Sequence, residues 1–274
     1  MLSSRVAFTN KSSKNFTENN LQAAKVQPVA ICNLSADETK SFCGVSSATL
    51  TADAGYSSYK WSTGATSQSI SVTSSGTYYF EVVNSSYETV TNGDFESSSN
   101  HYNGFTSDYH KNTNNLYSEG DYAVIKNPNS EHSSFATMGD HTSGSGYMMV
   151  VNGSSTANVN VWAESIAVLP NTTYQFSVWG ASVYSASPGH LAFSINGTQL
   201  GNIQLSSSTG VWQNFTTQWA SGSSTTANIS IVNLNTDPNG NDFALDDVSF
   251  APVCRKTFTV TLNPNPSKPV IAQN

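Results

Sequence analysis

Charge is the scarcest commodity in this 274-residue chain: only 11% of residues are Asp, Glu, Lys or Arg, against a usual share of about 25%. Ser, Thr, Asn and Gly stand where charge would be. That suits an extracellular β-protein, whose strand faces carry Thr and Ser and whose turns carry Gly and Asn. Lys and Arg total 11, do not cluster, and leave a formal net charge of -7. Without a basic stripe there is no surface to neutralise phosphates, which excludes nucleic acid as a partner. No run of about 18 apolar residues occurs, which excludes a membrane-inserted helix.

Cysteine is also sparse. Cys32, Cys43 and Cys254 form no CxxC pair, so zinc is not indicated. The odd count leaves one thiol unpaired or intermolecular. Enzyme motifs are absent as well: there is no GxSxG elbow, no HExxH and no phosphate-binding glycine loop. The five histidines sit in polar loops, and the i,i+9 spacing of His132 and His141, with Asp140 beside the latter, diagnoses no site. The expectation is a non-enzyme. The opening MLSSRVAFTNKSSKNF lacks the apolar run of a signal peptide; for a secreted protein, a fragment or a processed form with an added Met would account for this.

What is present is period-two alternation with polar turns. Residues 1–27 are polar and aperiodic, either a disordered tail or one that packs on a neighbouring chain. From residue 28, Ala48, Leu50 and Ala52 alternate with Thr49 and Thr51. Tyr59 and Trp61 follow, then Ile70 and Val72, then Tyr78, Phe80 and Val82. This pattern predicts a β-sandwich with Trp61 in its core. Its last strand is missing before residue 84 and is found at the other end of the chain, where Phe258, Val260 and Leu262 alternate with threonines. Residues 85–253 carry strands of their own and no amphipathic helix, which fits a two-sheet jelly roll. An inserted domain explains this order, since surface hairpin loops tolerate insertion. The predicted divisions are a tail (1–27), a discontinuous sandwich (28–84 plus 254–269), an inserted jelly roll (85–253) and a stiff C-terminal linker (264–274). In that arrangement Cys43 and Cys254 flank the insertion, and a Cys43–Cys254 disulfide is expected, with Cys32–Cys43 as the alternative.

The sandwich segments CGVSSATLTADAGYSSYKWSTGATSQSISVTSSGTYYFEVV and CRKTFTVTLNPNP resemble the immunoglobulin-like/PKD-like repeats of secreted Bacteroidetes surface proteins. The insert resembles galactose-binding-like jelly rolls, namely carbohydrate-binding modules of the family 4/9 type and MAM adhesion domains. VTNGDFE (90–96), GDHTSGSGYMMVVNG (139–153), PNTTYQFSVWG (170–180) and NDFALDDVSF (241–250) carry that likeness. The fold class expected is therefore all-β, an immunoglobulin-like β-sandwich with an inserted jelly roll.

The resemblance implies a structural calcium ion between the first and last strands of the insert. Asp94, Glu96, Asp140, Asp246 and Asp247 are the candidate ligands, because calcium takes 6 to 8 oxygen atoms. Asp94 and Glu96 share a strand face, whereas adjacent Asp246 and Asp247 point to opposite faces, so at most one of that pair is expected at the ion. Sugar recognition needs exposed aromatic faces. Trp162, Trp212 and Trp219 lie in strand patterns and are assigned to the core. Tyr102, Tyr109, Tyr117 and Tyr184 lie in loop-like segments and form the candidate ligand rim. The leading functional expectation is an extracellular, cell-surface module that binds a glycan or another surface ligand. Two alternatives stand beside it: a filament or surface-layer subunit that binds copies of itself by strand exchange with the tail, and an accessory domain of a larger hydrolase.

Overall fold

The computed structural model describes residues 31–263. The tail assigned to 1–27 and the linker assigned to 264–274 lie outside the described residues. The chain is all-β. Its first five strands are β1 (Glu38–Cys43), β2 (Ala48–Thr51), β3 (Lys60–Trp61), β4 (Ser69–Val72) and β5 (Gly76–Val83). Then come β6 (His110–Lys111), β7 (Asp121–Ile125), β8 (Met148–Val151), β9 (Asn160–Ala167) and β10 (Thr173–Ser182). β11 (His190–Ile195), β12 (Thr198–Gln204), β13 (Gln213–Ala220), β14 (Thr226–Asn233) and β15 (Phe243–Asn263) complete the set. Alternation sets the faces: β4 and β14 bury every second residue, and β10 does so along its first eight.

The 21-residue β15 organises the molecule. Its first half pairs antiparallel with β10 on one side and β8 on the other. Its second half pairs antiparallel with β5, Thr257 opposite Tyr79, and parallel with β1. Both halves thus belong to one nine-stranded sheet. Pro252 stands at the hand-over, opposite Tyr174 on β10 and one residue before the β5 ladder begins. A proline has no N–H to donate, so it fits where one ladder stops and the next starts.

Two hydrophobic cores flank this strand. Leu50, Trp61, Phe80, Cys254 and Phe258 pack between the β3-β5-β15-β1 ladder and the β2-β4 pair. Trp162, Phe176, Phe193, Val248 and Phe250 pack between the β13-β10-β15-β8-β7-β6 path and a second sheet ordered β12-β11-β14-β9. A third, smaller cluster around Leu116, Phe135, Met148, Val183 and Ala244 seats loops on the outside of the larger sheet. Trp162 is buried as expected, and Trp212 and Trp219 are partly buried against these clusters.

The disulfide differs from the expectation. Cys32 bonds Cys254, with Cα atoms 5.4 Å apart, and Cys43 is a free, exposed thiol. Parallel pairing explains why: Cys43 lies opposite Asn263, nine residues further along β15 than Cys254. At about 3.3 Å per residue, that is roughly 30 Å of strand. A disulfide needs Cα atoms within about 7 Å. The pairing links the chain before β1 to the midpoint of β15.

Lys256 is unexpected in another way. It sits at a core-facing position of β15 with only 2% of its surface exposed. Its ammonium donates to Glu38 at 2.6 Å, to Asp53 at 3.2 Å and to the Ser35 hydroxyl. Burial pulls its pKa down, but these two carboxylates outweigh burial and raise it. A buried charge persists when it is paired in this way.

Candidate functional site

Two loop regions of the jelly roll gather the chemistry-bearing side chains. In the first, residues 139–147 fold over the middle of β15. Asp140 accepts from the Ser143 N–H at 2.8 Å, the Ser143 hydroxyl at 3.0 Å and the Gly146 N–H at 2.6 Å. Burial pushes Asp140 up, but the N–H groups of Ser143 and Gly146 win and hold the carboxyl below its ordinary value. Glu96 accepts from the Tyr147 N–H. Gly146 is required here: a Cβ at that position would lie 2.0 Å from Glu96 Oε1 and 3.1 Å from Asp140 Oδ2.

Asp246 is fully buried and accepts from the His141 and Asp247 N–H groups at 2.8 Å each. Asp247 accepts from His141 Nδ1 at 2.6 Å and from the Thr142 hydroxyl. Alternation placed these two acids on opposite faces, yet both meet the 139–147 loop. The reason is a bulge in the β10–β15 register, with Asp247 at φ 47°. It shifts the core-facing set from Phe243 and Leu245 to Val248 and Phe250. Asp94 is exposed, accepts from the Glu96 N–H, and lines a groove with Asp247.

These acids therefore already have partners, chiefly N–H groups of the loop that they hold. Among the described residues, no three His, Cys, Asp or Glu side chains converge in a group able to hold a metal. One charge remains poorly compensated. Burial, then Asp247 and Asp140, push Asp246 up to about 7, against the lowering effect of its two N–H donors.

The second region is a recess of about 240 Å³ at the loop end. Tyr117 lines it, 59% exposed, with its ring centroid 4.4 Å from His132, which stacks in turn on Phe135 at 4.2 Å. The three rings form a ladder from solvent to the small outer core. Tyr184 lines the recess as well. The Ser134 N–H donates to His132 Nδ1, so Nε2 carries the ring proton. Burial holds the imidazole below its ordinary pKa.

The polar side of the recess comprises Glu119, Asn152 and Asp242. Asp242 is buried and accepts from the Gly153 N–H at 2.9 Å. Burial pushes its carboxyl up to about 7, with Glu119 adding to the rise and Gly153 opposing it. Burial, then Asp237, raise Glu119. Asn152 is 4% exposed; its Nδ2 donates to the Leu116 carbonyl at 2.8 Å, while its Oδ1 is buried without a partner.

The four candidate tyrosines thus divide. Tyr117 and Tyr184 share one recess. Tyr109 is 6% exposed, and its hydroxyl accepts from the Ser154 N–H. Tyr102 packs on the main core, and its hydroxyl accepts from the Val124 N–H. Tyr109 is thus buried and Tyr102 half-buried, and neither lines the recess: a loop assignment from polar neighbours does not register that a ring packs inward and finds a backbone donor there. Glu119, His132, Asn152 and Asp242 were missed as a group. Their signal in the sequence is weak, confined to the polar turn residues of DPNGND at 237–242.

A larger groove, about 560 Å³, crosses the outside of the second sheet beside Glu164, Ser194 and Asn228. Its aromatic residue, Phe105, is packed against Phe95, Tyr122 and Trp162. The loop-end recess, with an exposed ring, two carboxylates and one unpaired amide oxygen in one place, has the stronger claim as a ligand site.

No protein-family model matches the chain, and no curated protein matches it. Among solved structures, an arabinose-bound α-L-arabinofuranosidase, MgGH51, is similar at 15% identity over 61% of this chain and 26% of its own, with a TM-score of 0.43. The CBM22-1 xylan-binding domain from Paenibacillus barcinonensis Xyn10C matches at 14% identity over 54% of this chain and 92% of its own, with a TM-score of 0.34. A Stig cyclase from Fischerella sp. TAU matches at 14% identity over 61% of this chain and 97% of its own, with a TM-score of 0.43. The chain spans about a quarter of the arabinofuranosidase's length.

Proposed function

We propose that this protein is an extracellular, non-catalytic glycan-binding module, and that the loop-end recess receives the sugar. The observation that carries this reading is the convergence of an exposed ring, Tyr117, with a buried and unpaired amide oxygen on Asn152 and the carboxylates of Glu119 and Asp242. A pyranose ring offers apolar C–H faces to an aromatic ring and hydroxyl donors to such acceptors. The long-range disulfide supports an oxidising compartment. In this reading the sandwich presents the jelly roll, and because both share β15 no flexible linker is needed between them.

The test is a polysaccharide and oligosaccharide array, followed by calorimetry on the hits. Tyr117→Ala is expected to weaken binding roughly tenfold, about 1.4 kcal/mol, in line with the loss of one stacking ring. Tyr117→Phe keeps the ring and is expected to retain most of the affinity. A wild-type protein that binds no glycan, with and without calcium, would end this reading.

Calcium at the 139–147 loop belongs to the same reading. Asp246, the least compensated acid at this loop, is the group such an ion would relieve, with carbonyls and water supplying the other oxygen atoms, and its role would be to tie the loop to β15. Thermal unfolding in millimolar calcium is expected to occur several degrees higher than in chelator. An ion at a hundredfold excess over its Kd stabilises by about 2.7 kcal/mol. Identical midpoints in the two buffers would mean that the N–H donors alone hold these acids.

A further inference from the structure

We infer that the loop-end recess selects sugar units that carry no negative charge, so that neutral and amino sugars enter and uronate, sulfated or sialylated ones are refused. This rests on the glycan-binding reading above and narrows it to a ligand class.

The argument starts from what the recess can accept. Asn152 Nδ2 is committed to the Leu116 carbonyl, which fixes the amide orientation and leaves Oδ1 as an acceptor alone. A buried acceptor without a partner costs about 1–3 kcal/mol, and the wall that Asn152 contributes offers no spare donor to an anion. Glu119 and Asp242 are acceptors too whenever they are ionised. Hydroxyl and ammonium groups donate to ionised Glu119 and Asp242, whereas a carboxylate or sulfate brings no donor to them.

Counter-charge is the second half of the argument. Among the described residues, no Lys or Arg lines the recess. His132, the one basic ring among the described lining residues, takes the Ser134 N–H on its Nδ1, and burial lowers its pKa. An anionic sugar would therefore meet the Glu119 carboxylate, joined by Asp242 once the pH rises above about 7, with no Lys or Arg among the lining residues to offset them. The formal net charge of -7 adds a long-range component that slows the approach of polyanions. The Tyr117–His132–Phe135 ring ladder imposes no charge requirement and takes the apolar face of either class.

The experiment compares neutral xylan and glucan oligosaccharides and chitosan oligomers with polygalacturonate oligomers and heparin fragments, by calorimetry at low ionic strength. Neutral or amino sugars are expected to bind, and every anionic sugar to bind at least tenfold more weakly. Glu119→Gln, which keeps an acceptor but removes one charge at the mouth, is expected to improve anionic binding several-fold. Added salt is expected to do the same in the wild type, because screening weakens the repulsion. Preferential binding of an anionic sugar would overturn the charge selectivity and leave the glycan reading standing. If neither class binds, the selectivity falls together with that reading.

Discussion

Replacing Cys32 with alanine is expected to destabilise the protein by roughly 5 kcal/mol. Cys32 and Cys254 are 222 residues apart in sequence. In the chain-entropy description, cross-linking a loop of that length removes about 5 kcal/mol of entropy from the unfolded state. Whole domains are stable by only about 5–15 kcal/mol, so the variant should unfold at markedly lower denaturant. The bond also closes the one covalent loop that contains the complete jelly roll and joins β15 at its midpoint, where its partner changes from β10 to β5. Cys43→Ser is the control and is expected to be silent, because that thiol is exposed and unbonded. Urea unfolding of the two variants, with thiol alkylation and peptide mapping of the wild type, checks the prediction. A Cys32→Ala midpoint within error of wild type, or alkylation of Cys254 in the native protein, would refute the linkage.

The second large effect is on pH dependence, and its sign is opposite to that of ordinary acid denaturation. Burial lifts Asp242 from its ordinary 3.8 to about 7 in the folded state. Between those values the folded protein holds a proton that the unfolded chain releases. Stability therefore falls as pH rises from about 4 to about 7. A shift of that size corresponds to on the order of 4 kcal/mol. Asp246, lifted to about 7 as well, acts in the same direction. Glu38, Asp53 and Asp140 act oppositely. Their hydrogen bonds and ion pairs hold them below their ordinary values, so their contribution is lost as pH falls below the usual carboxylate range. Maximum stability is thus expected on the acid side of neutrality, near pH 4–5. Asp242→Asn should flatten the neutral limb by several kcal/mol without altering the acid limb. Urea unfolding across this range, in chelator, measures both limbs. A wild type equally stable at pH 5 and pH 7, with Asp242→Asn indistinguishable from it, would show that this carboxylate is solvated in the native state.

The placement of the site follows from the strand that runs through the molecule. β15 enters at Phe243, immediately after Asp242 on the floor of the recess. It passes the acidic loop at Asp246 and Asp247, crosses Pro252, and ends inside the sandwich at Asn263. Anything that shifts β15 along its length moves the recess, the acidic loop and the sandwich core together. Lys256 anchors the far half against Glu38 and Asp53, so the anchoring depends on charge as well as on apolar packing.

Much of the fold was legible in the residues because alternation is a local property. Strands such as β10 and β14 show their buried face directly in the order of apolar and polar side chains. The pairing of the C-terminal alternation with the strand around Phe80 was also within reach, since one apolar run lacked a partner and the other supplied it. The all-β class and the buried Trp61 and Trp162 needed only a period of two; the strand face expected to carry Asp94 and Glu96 is instead a turn, with Phe95 between them at φ 55°.

Tertiary structure decided everything that depends on register or on long-range approach. Parallel pairing of β1 sent Cys43 to the wrong end of β15 for a disulfide and left Cys32 to take its place. One bulge with Asp247 in a left-handed conformation brought two neighbouring acids to the same loop, against strict alternation. Chain folding, not composition, buried Tyr109 while leaving Tyr117 in solvent beside Glu119, Asn152 and Asp242. The physical reason is the range of the forces involved. Side-chain alternation acts between residues two apart, whereas bulges, strand direction and the meeting of loops are set by packing between segments that the linear order does not bring together.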